Sequence, residues 1–148
     1  MIVEGKSDLD FMKLAMQEAM LATDHDDIPI GALVVCKGKI IGKGHNQVEM
    51  LNDATAHAEM IAITSAFSYL GSRYLEECTL YVTLEPCTMC AGALNWAQLG
   101  KLVFAASDHT RGFKKYNEKI IHPKTKLVSG ILENECSHMI KEFFKKLR

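Results

Sequence analysis

The stretch CTLYVTLEPCTMCAGALNWAQLGKLVFAA, residues 78–106, changes its periodicity twice and so constrains the fold more than any other part of the chain. Residues 78–85 have the Leu, Tyr and Val content of a buried strand. Pro86 suits the first turn of a helix, where its missing N–H leaves no bond unmade. That helix is expected over 86–98, with Gly100 ending it and residues 101–106 forming the next strand. Two strands joined through a helix pair in parallel.

The flanking segments extend this reading. Ser7 with Asp10 three residues later is a capping-box start, followed by Phe11, Met12, Ala15, Met16, Ala19 and Met20 at helical spacing. Methionines at such spacing are read as core. Pro29 prevents continuation. Residues 30–46 read as a hairpin around a Lys37-Gly38 turn. A polar connection covers 48–54, and a second helix is expected from about Thr55 to Leu70. Residues 107–126 read as a loop or short helix rich in Arg, Lys and aromatics. A last strand falls at 126–130, and residues 131–148 form a terminal helix with Leu132, Cys136, Met139, Ile140, Phe143 and Leu147 on its apolar stripe. Hairpin and crossover together require a mixed sheet, and helices before, between and after its strands cover both faces. The expected fold is a three-layer α/β/α sandwich.

At 148 residues the chain suits a single domain over 1–148, with residues 1–5 a frayed end. No run of eighteen apolar residues is present, and the acidic N-terminus has no hydrophobic region of a secretory signal, so neither a membrane span nor export is expected. A net charge of −1 argues against non-specific coating of DNA, though not against a local basic patch. Five cysteines, an odd number without framework spacing, point to a reduced, cytoplasmic protein. Cys36, Cys78 and Cys136 lie in apolar runs and read as small core hydrophobes.

Cys87 and Cys90 differ, because three residues apart at a helix start they share one face. The positive end of the helix favours their thiolates, and two adjacent thiolates call for a cation. A C-x-x-C pair alone is ambiguous between a redox couple and half of a structural zinc site. His57, in the segment TAHAEM, offers a third ligand, and no second C-x-x-C or H-x3-5-H pair completes a closed four-ligand site. Three ligands leave a position for water, whose pKa zinc brings toward neutrality. Glu59 is then a candidate to take up and pass on the proton. Taken alone, it would be a surface carboxylate favoured by the helix dipole.

His57-Ala58-Glu59 and Pro86-Cys87-Thr88-Met89-Cys90 match the H-x-E and P-C-x-x-C halves of the zinc nucleobase deaminase signature. The chain resembles the cytidine deaminase-like superfamily and, within it, the bacterial tRNA adenosine deaminases. The blocks IPIGALVV, GHN, TAHAEM, TLYVTLEPCTMCAGAL, GILENEC and EFF carry that likeness in order. The resemblance implies a central five-stranded sheet, one Zn2+ per subunit held by His57, Cys87 and Cys90, proton transfer by Glu59, and a homodimer. It also implies substrate contacts from Asn46, Ala58 and Pro86, although Asn46 reads equally well as the turn residue that ends a strand. The activity implied is hydrolytic deamination of adenosine to inosine in the anticodon loop of tRNA.

Departures from the group bear on substrate. Ala54 stands where the group has proline, Trp96-Ala97 looks like the guanine deaminases of the same superfamily, and RGFKKYN replaces a small-residue loop. Candidate RNA contacts are Arg111, Phe113, Lys114, Lys115 and Tyr116, with Phe143, Phe144, Lys145, Lys146 and Arg148 on the terminal helix. The alternative for them is a solvated loop and an ordinary helix whose phenylalanines are core. Two other readings stand beside tRNA editing: a deaminase of a free base or nucleoside such as guanine or cytosine, and a non-catalytic zinc-stabilised RNA-binding protein.

Overall fold

The computed structural model describes residues 5–147. Residues 1–4 of the expected frayed end, and Arg148, lie outside the described residues. In chain order the elements are α1 (Asp8–Ala22), β1 (Gly31–Cys36), β2 (Lys39–His45), α2 (Val48–Leu51), α3 (Ala58–Leu70), β3 (Cys78–Leu84), α4 (Thr88–Trp96), β4 (Lys101–Ala106), α5 (Phe113–Tyr116), β5 (Lys126–Ser129) and α6 (Glu133–Lys146). Single 3-10 turns follow α1 and α5. The five strands form one sheet in the order β2-β1-β3-β4-β5. β1 pairs antiparallel with β2 and β3, whereas β3–β4 and β4–β5 are parallel. This is the expected mixed five-stranded sheet.

Alternation along the strands divides the core between two faces. Ala32, Val34, Leu80, Val82, Leu102 and Phe104 point toward α3 and α4. Leu33, Val35, Tyr81, Val103 and Ala105 point toward α1 and α6, where they meet Phe11, Met12 and Cys136. Glycine lets the helices sit unusually close. A Cβ on Gly42 would lie 2.3 Å from the Ala62 carbonyl oxygen, one on Gly44 2.3 Å from that of Ala58, and one on Gly31 2.1 Å from that of Ala15. The stripes Ala58-Ala62-Ala66 and Ala15-Ala19 are the helical side of this fit.

The capping box is present, with Ser7 Oγ accepting from the Asp10 N–H and the Asp10 carboxylate accepting from the Ser7 N–H. The hairpin turn is where the sequence puts it, with Lys37 and Gly38 both at positive φ, 51° and 76°, the backbone of a two-residue type I′ turn.

Boundaries differ from expectation in four places. Helix α3 starts at Ala58, three residues later than expected, because Thr55 and Ala56 belong to a turn tied by Asp53, whose carboxylate accepts from the Thr55 N–H and hydroxyl. Helix α4 starts at Thr88 rather than Pro86, since Pro86 and Cys87 are still extended. It ends at Trp96, ahead of Gly100, with Gln98 in the left-handed region at φ 53°. Gly100 instead packs against the Glu76 carbonyl, where a Cβ would come within 2.3 Å. The polar connection at 48–54 holds the short helix α2. The core reading of the methionines holds for Met12 but not for Met20, which is 51% exposed in an open groove of about 840 Å³ between α1 and α6.

Candidate active site

Three chain segments converge at the end of the sheet where β1 begins and β3 finishes. His57 and Cys87 are the N-cap residues of α3 and α4, and Cys90 lies in the first turn of α4. Neither cap makes a side-chain hydrogen bond to its own helix, so imidazole and thiol are free to turn toward each other. His57 Nδ1 lies 3.6 Å from the sulfur of Cys87 and 3.6 Å from that of Cys90. All three ligand atoms fall within 4.8 Å of one another, and no fourth His, Cys, Asp or Glu joins the group among the described residues. A tetrahedral zinc with Zn–S about 2.3 Å and Zn–N about 2.05 Å has S···N edges of about 3.6 Å. The donor set and its spacing therefore fit zinc with one open position. Both cysteines are free thiols, as metal ligation requires.

The electrostatics agree. The Cys90 side chain hydrogen bonds Cys87 and, against burial, draws its thiol down to about 4, with His57 contributing. The same contact, burial and the nearby Glu59 push Cys90 upward. Two sulfurs this close cannot both carry charge without a cation between them. The Cys87 sulfur raises the pKa of His57 against burial, with the Glu59 carboxylate adding a smaller upward push.

Glu59 is 4% exposed, one residue into α3 beyond Ala58. Burial pushes its carboxyl up to about 7, with the Cys87 charge adding to that and interactions with His57 and the Cys90 thiol opposing it. A carboxyl that titrates near neutrality beside a metal cluster is suited to carrying a proton in both directions. The surface-carboxylate alternative for Glu59 is excluded by its burial.

The remaining sequence candidates are divided between site, core and surface. Asn46 is 7% exposed, and its Oδ1 accepts the first helical N–H of α3, from Ala58, at 3.1 Å. It therefore ends β2, as its alternative reading had it, and also holds the helix bearing Glu59. Pro86 is buried beside Cys87, and its carbonyl accepts from the Phe113 N–H at 2.9 Å. Phe113 corrects the sequence reading. It is 1% exposed and packs edge-on against Phe104, ring centroids 6.3 Å apart, so it is core and cannot stack on a base. Arg111, Lys114, Lys115 and Tyr116 are exposed. Phe144 and Lys145 are exposed on α6, where Phe144 contacts Phe143 and Lys145 pairs with Glu142. Trp96 is 84% exposed and nine residues beyond Cys87, about 13 Å along the axis, so it does not line this chain's site. His45 faces Glu18 of α1 at 3.6 Å, on the opposite side of the sheet from α3.

Two positioning carboxylates escaped the sequence reading. Glu85, 5% exposed, accepts from the N–H groups of Asp108 and Lys114, both at 3.0 Å. With the bridge between Cys87 and Gly112, it fastens the basic 108–115 segment beside the His57–Cys87–Cys90 cluster. Asp27, 2% exposed, accepts from the N–H groups of Glu49 and Met50 at the start of α2. Each serves backbone donors far away in the chain, and no local pattern marks it. For Glu85 the only sequence signal was an acidic residue between a strand end and a proline, and for Asp27 there was none.

A model of the MafB19-like deaminase family matches residues 6–148. A tRNA-specific adenosine deaminase of Aquifex aeolicus is 46% identical, over 93% of this chain and 94% of that protein. A solved structure from a study of A-to-I editing by tRNA:A34 deaminases at the wobble position superposes with a TM-score of 0.80 at 39% identity, covering 87% of this chain and 97% of that one. A guanine deaminase structure from Bacillus subtilis is 40% identical with a TM-score of 0.65, covering 69% of this chain and 66% of that one.

Proposed function

The chain belongs to the MafB19-like deaminase family, and from that membership we propose that it deaminates adenosine at the wobble position of a tRNA anticodon loop, adding water and releasing inosine and ammonia. The observation that carries the chemistry is the convergence of His57, Cys87 and Cys90 within 4.8 Å, next to a buried Glu59. The substrate rests on likeness along nearly the whole chain to a tRNA-specific adenosine deaminase.

His57, Cys87 and Cys90 would hold one zinc ion per subunit, which would supply the Lewis acidity that makes water nucleophilic at neutral pH. Glu59 accepts the proton of the attacking water on its carboxylate. It delivers that proton to N1 of adenine as oxygen adds at C6, then takes the remaining proton from the C6 hydroxyl and passes it to the amine, so that the C6–N bond breaks, the C6 carbonyl forms and ammonia leaves. Asn46 has its oxygen committed to Ala58, which leaves its amide NH2 as the group it offers the nucleoside. Reaching the pocket requires an unstacked base, which an anticodon loop provides at low cost. The exposed Arg111, Lys114 and Lys115, held beside Cys87 through Gly112 and Glu85, supply charge to the flanking phosphates. Thiolate ligands are kept ready in a reducing compartment, consistent with the cytoplasm.

A homodimer belongs to the same reading. Met89 and Trp96 are seven residues apart on α4, hence on one face, and are 37% and 84% exposed. An outward tryptophan and methionine aligned on one helix form an apolar surface suited to a second copy.

The second reading, guanine as substrate, is favoured by the likeness to the guanine deaminase. Purified protein offered tRNA, adenosine, guanine and cytosine separately, with ammonia release followed for each, decides between them. The proposal expects turnover on tRNA alone, with binding that weakens steeply as salt rises. Turnover of free guanine, indifferent to salt, replaces it with the second reading.

A further inference from the structure

Cys36 and Cys78 belong to different strands and are directly opposite each other in the antiparallel β1–β3 register. Both are free thiols. Directly opposed residues point to the same face, and both side chains pack on the α3/α4 side of the sheet.

Their pair is of the narrow, non-hydrogen-bonded kind, for two separate reasons. Cys36 closes the Lys37-Gly38 turn opposite Lys39, so its backbone groups point to β2 and away from β3. The Cys78 N–H bonds the Leu75 carbonyl, also away from β1. Narrow antiparallel pairs place their Cα atoms about 4.5 Å apart, within the range of about 4.4–6.8 Å that a disulfide spans. Just past this pair, beyond the ends of both strands, the side chains of Lys37 and Glu77 meet at 3.0 Å in solvent. From Cys78 to the end of β3 at Leu84 is six residues, about 20 Å, so the pair is remote from Cys87 and Cys90.

We propose that Cys36 and Cys78 are a second, non-metal cysteine site, one that a hydroperoxide converts reversibly to a cross-strand disulfide. Cys36 is half-buried and meets the oxidant first, whereas Cys78 is buried. Burial pushes the Cys78 thiol up to about 12, with the Cys36 sulfur adding to the shift, so Cys78 waits as the protonated resolving thiol. The Cys36 thiolate attacks one peroxide oxygen, breaking the O–O bond. This gives a sulfenic acid and hydroxide, which leaves as water after taking up the proton that the thiol gave up. The Cys78 sulfur then attacks the Cys36 sulfur, forming S–S and breaking S–O. The departing hydroxide takes the Cys78 proton and leaves as a second water. Two electrons pass from the two sulfurs to one peroxide, and a dithiol reductant reverses the change. The closed loop contains β2, α2 and α3, so the bond tightens the part of the chain that carries His57 and Glu59 without touching the metal ligands.

The test uses zinc-loaded protein treated with hydrogen peroxide, blocked with an alkylating agent and mapped by mass spectrometry without reduction. The expected result is a peptide linking Cys36 to Cys78, a midpoint of thermal unfolding raised relative to reduced protein, and reversal of both by dithiothreitol. Cys36→Ser is expected to lose the link and the thermal shift together. Recovery of Cys36 and Cys78 as separately alkylated thiols, or of Cys36 as sulfinic acid with Cys78 unlinked, overturns the proposal. Because the mapping is done on the unaltered chain, the outcome does not depend on how any variant folds.

Discussion

At the scale of single residues, most of the chemistry depends on Glu59. Its burial, beside a cluster that calls for a cation, gives it a proton affinity near neutrality, which suits the proton transfer proposed for it. Glu59→Gln keeps the shape and removes the carrier. The expected outcome is a loss of deamination by about 10²–10⁴-fold with zinc content unchanged, read by ammonia release and metal analysis. Deamination retained at the unaltered rate would remove Glu59 from the proton-transfer role. Phe113 shows the opposite case. An aromatic within a basic loop reads as a base-stacking residue, yet this side chain is buried against Phe104. It anchors the loop, while Lys114 and Lys115, which follow it directly, remain in solvent.

At the scale of elements, the position of the site depends on how closely α3 lies on β2. Gly44 lies under the Ala58 carbonyl, with room for no Cβ. Gly44→Ala has to push the start of α3 outward, and with it His57 and Glu59. Overpacking of this kind costs about 1–3 kcal/mol, and the midpoint of chemical denaturation and the zinc affinity are both expected to fall. Unchanged zinc affinity would separate the helix start from the glycine contact. On the other face, α1 is tied to the sheet through Asp8, which accepts from the Tyr81 hydroxyl at 2.7 Å and from Lys101 at 2.9 Å. Burial acts to raise the Asp8 carboxyl, but the Tyr81 and Lys101 hydrogen bonds outweigh it and hold the group below its usual 3.8. A depressed carboxylate contributes stability that is present above the unfolded value and lost as pH falls through the folded one. Asp8→Asn is therefore expected to lower stability by about 1 kcal/mol at pH 7, and the difference from the unaltered chain should close as the pH drops below 3.8. Urea unfolding at a series of pH values measures both.

At the scale of the whole molecule, one face of α4 remains to be covered. Its inner side carries Cys90, Ala91 and Leu94, all buried, while Met89 and Trp96 face solvent. If two copies meet through this face, Trp96→Asp gives a monomer by light scattering with an unchanged circular dichroism spectrum. A dimer that persists in the variant places the interface elsewhere. The net charge of −1 leaves recognition of an anionic substrate to local clusters, which is why fastening the 108–115 segment by Glu85 matters more than overall composition.

Local pattern was enough to single out the trio His57, Cys87 and Cys90 that folding brings together, the carboxylate beside it, the hairpin turn and the alternation of strands and helices. Each of these is encoded within a few residues: a period, a positive-φ dipeptide, a C-x-x-C at a helix start. What folding alone decided is which residues from distant segments face each other. Glu85 meets the amides of Asp108 and Lys114, Asp27 meets those of α2, Asn46 receives the Ala58 N–H, and Cys36 comes to rest against Cys78. Phe113 goes inward and Trp96 outward for the same reason. Burial and register are set by long-range pairing across the sheet, and a one-residue shift in that pairing would reverse them. No short window of sequence contains that information.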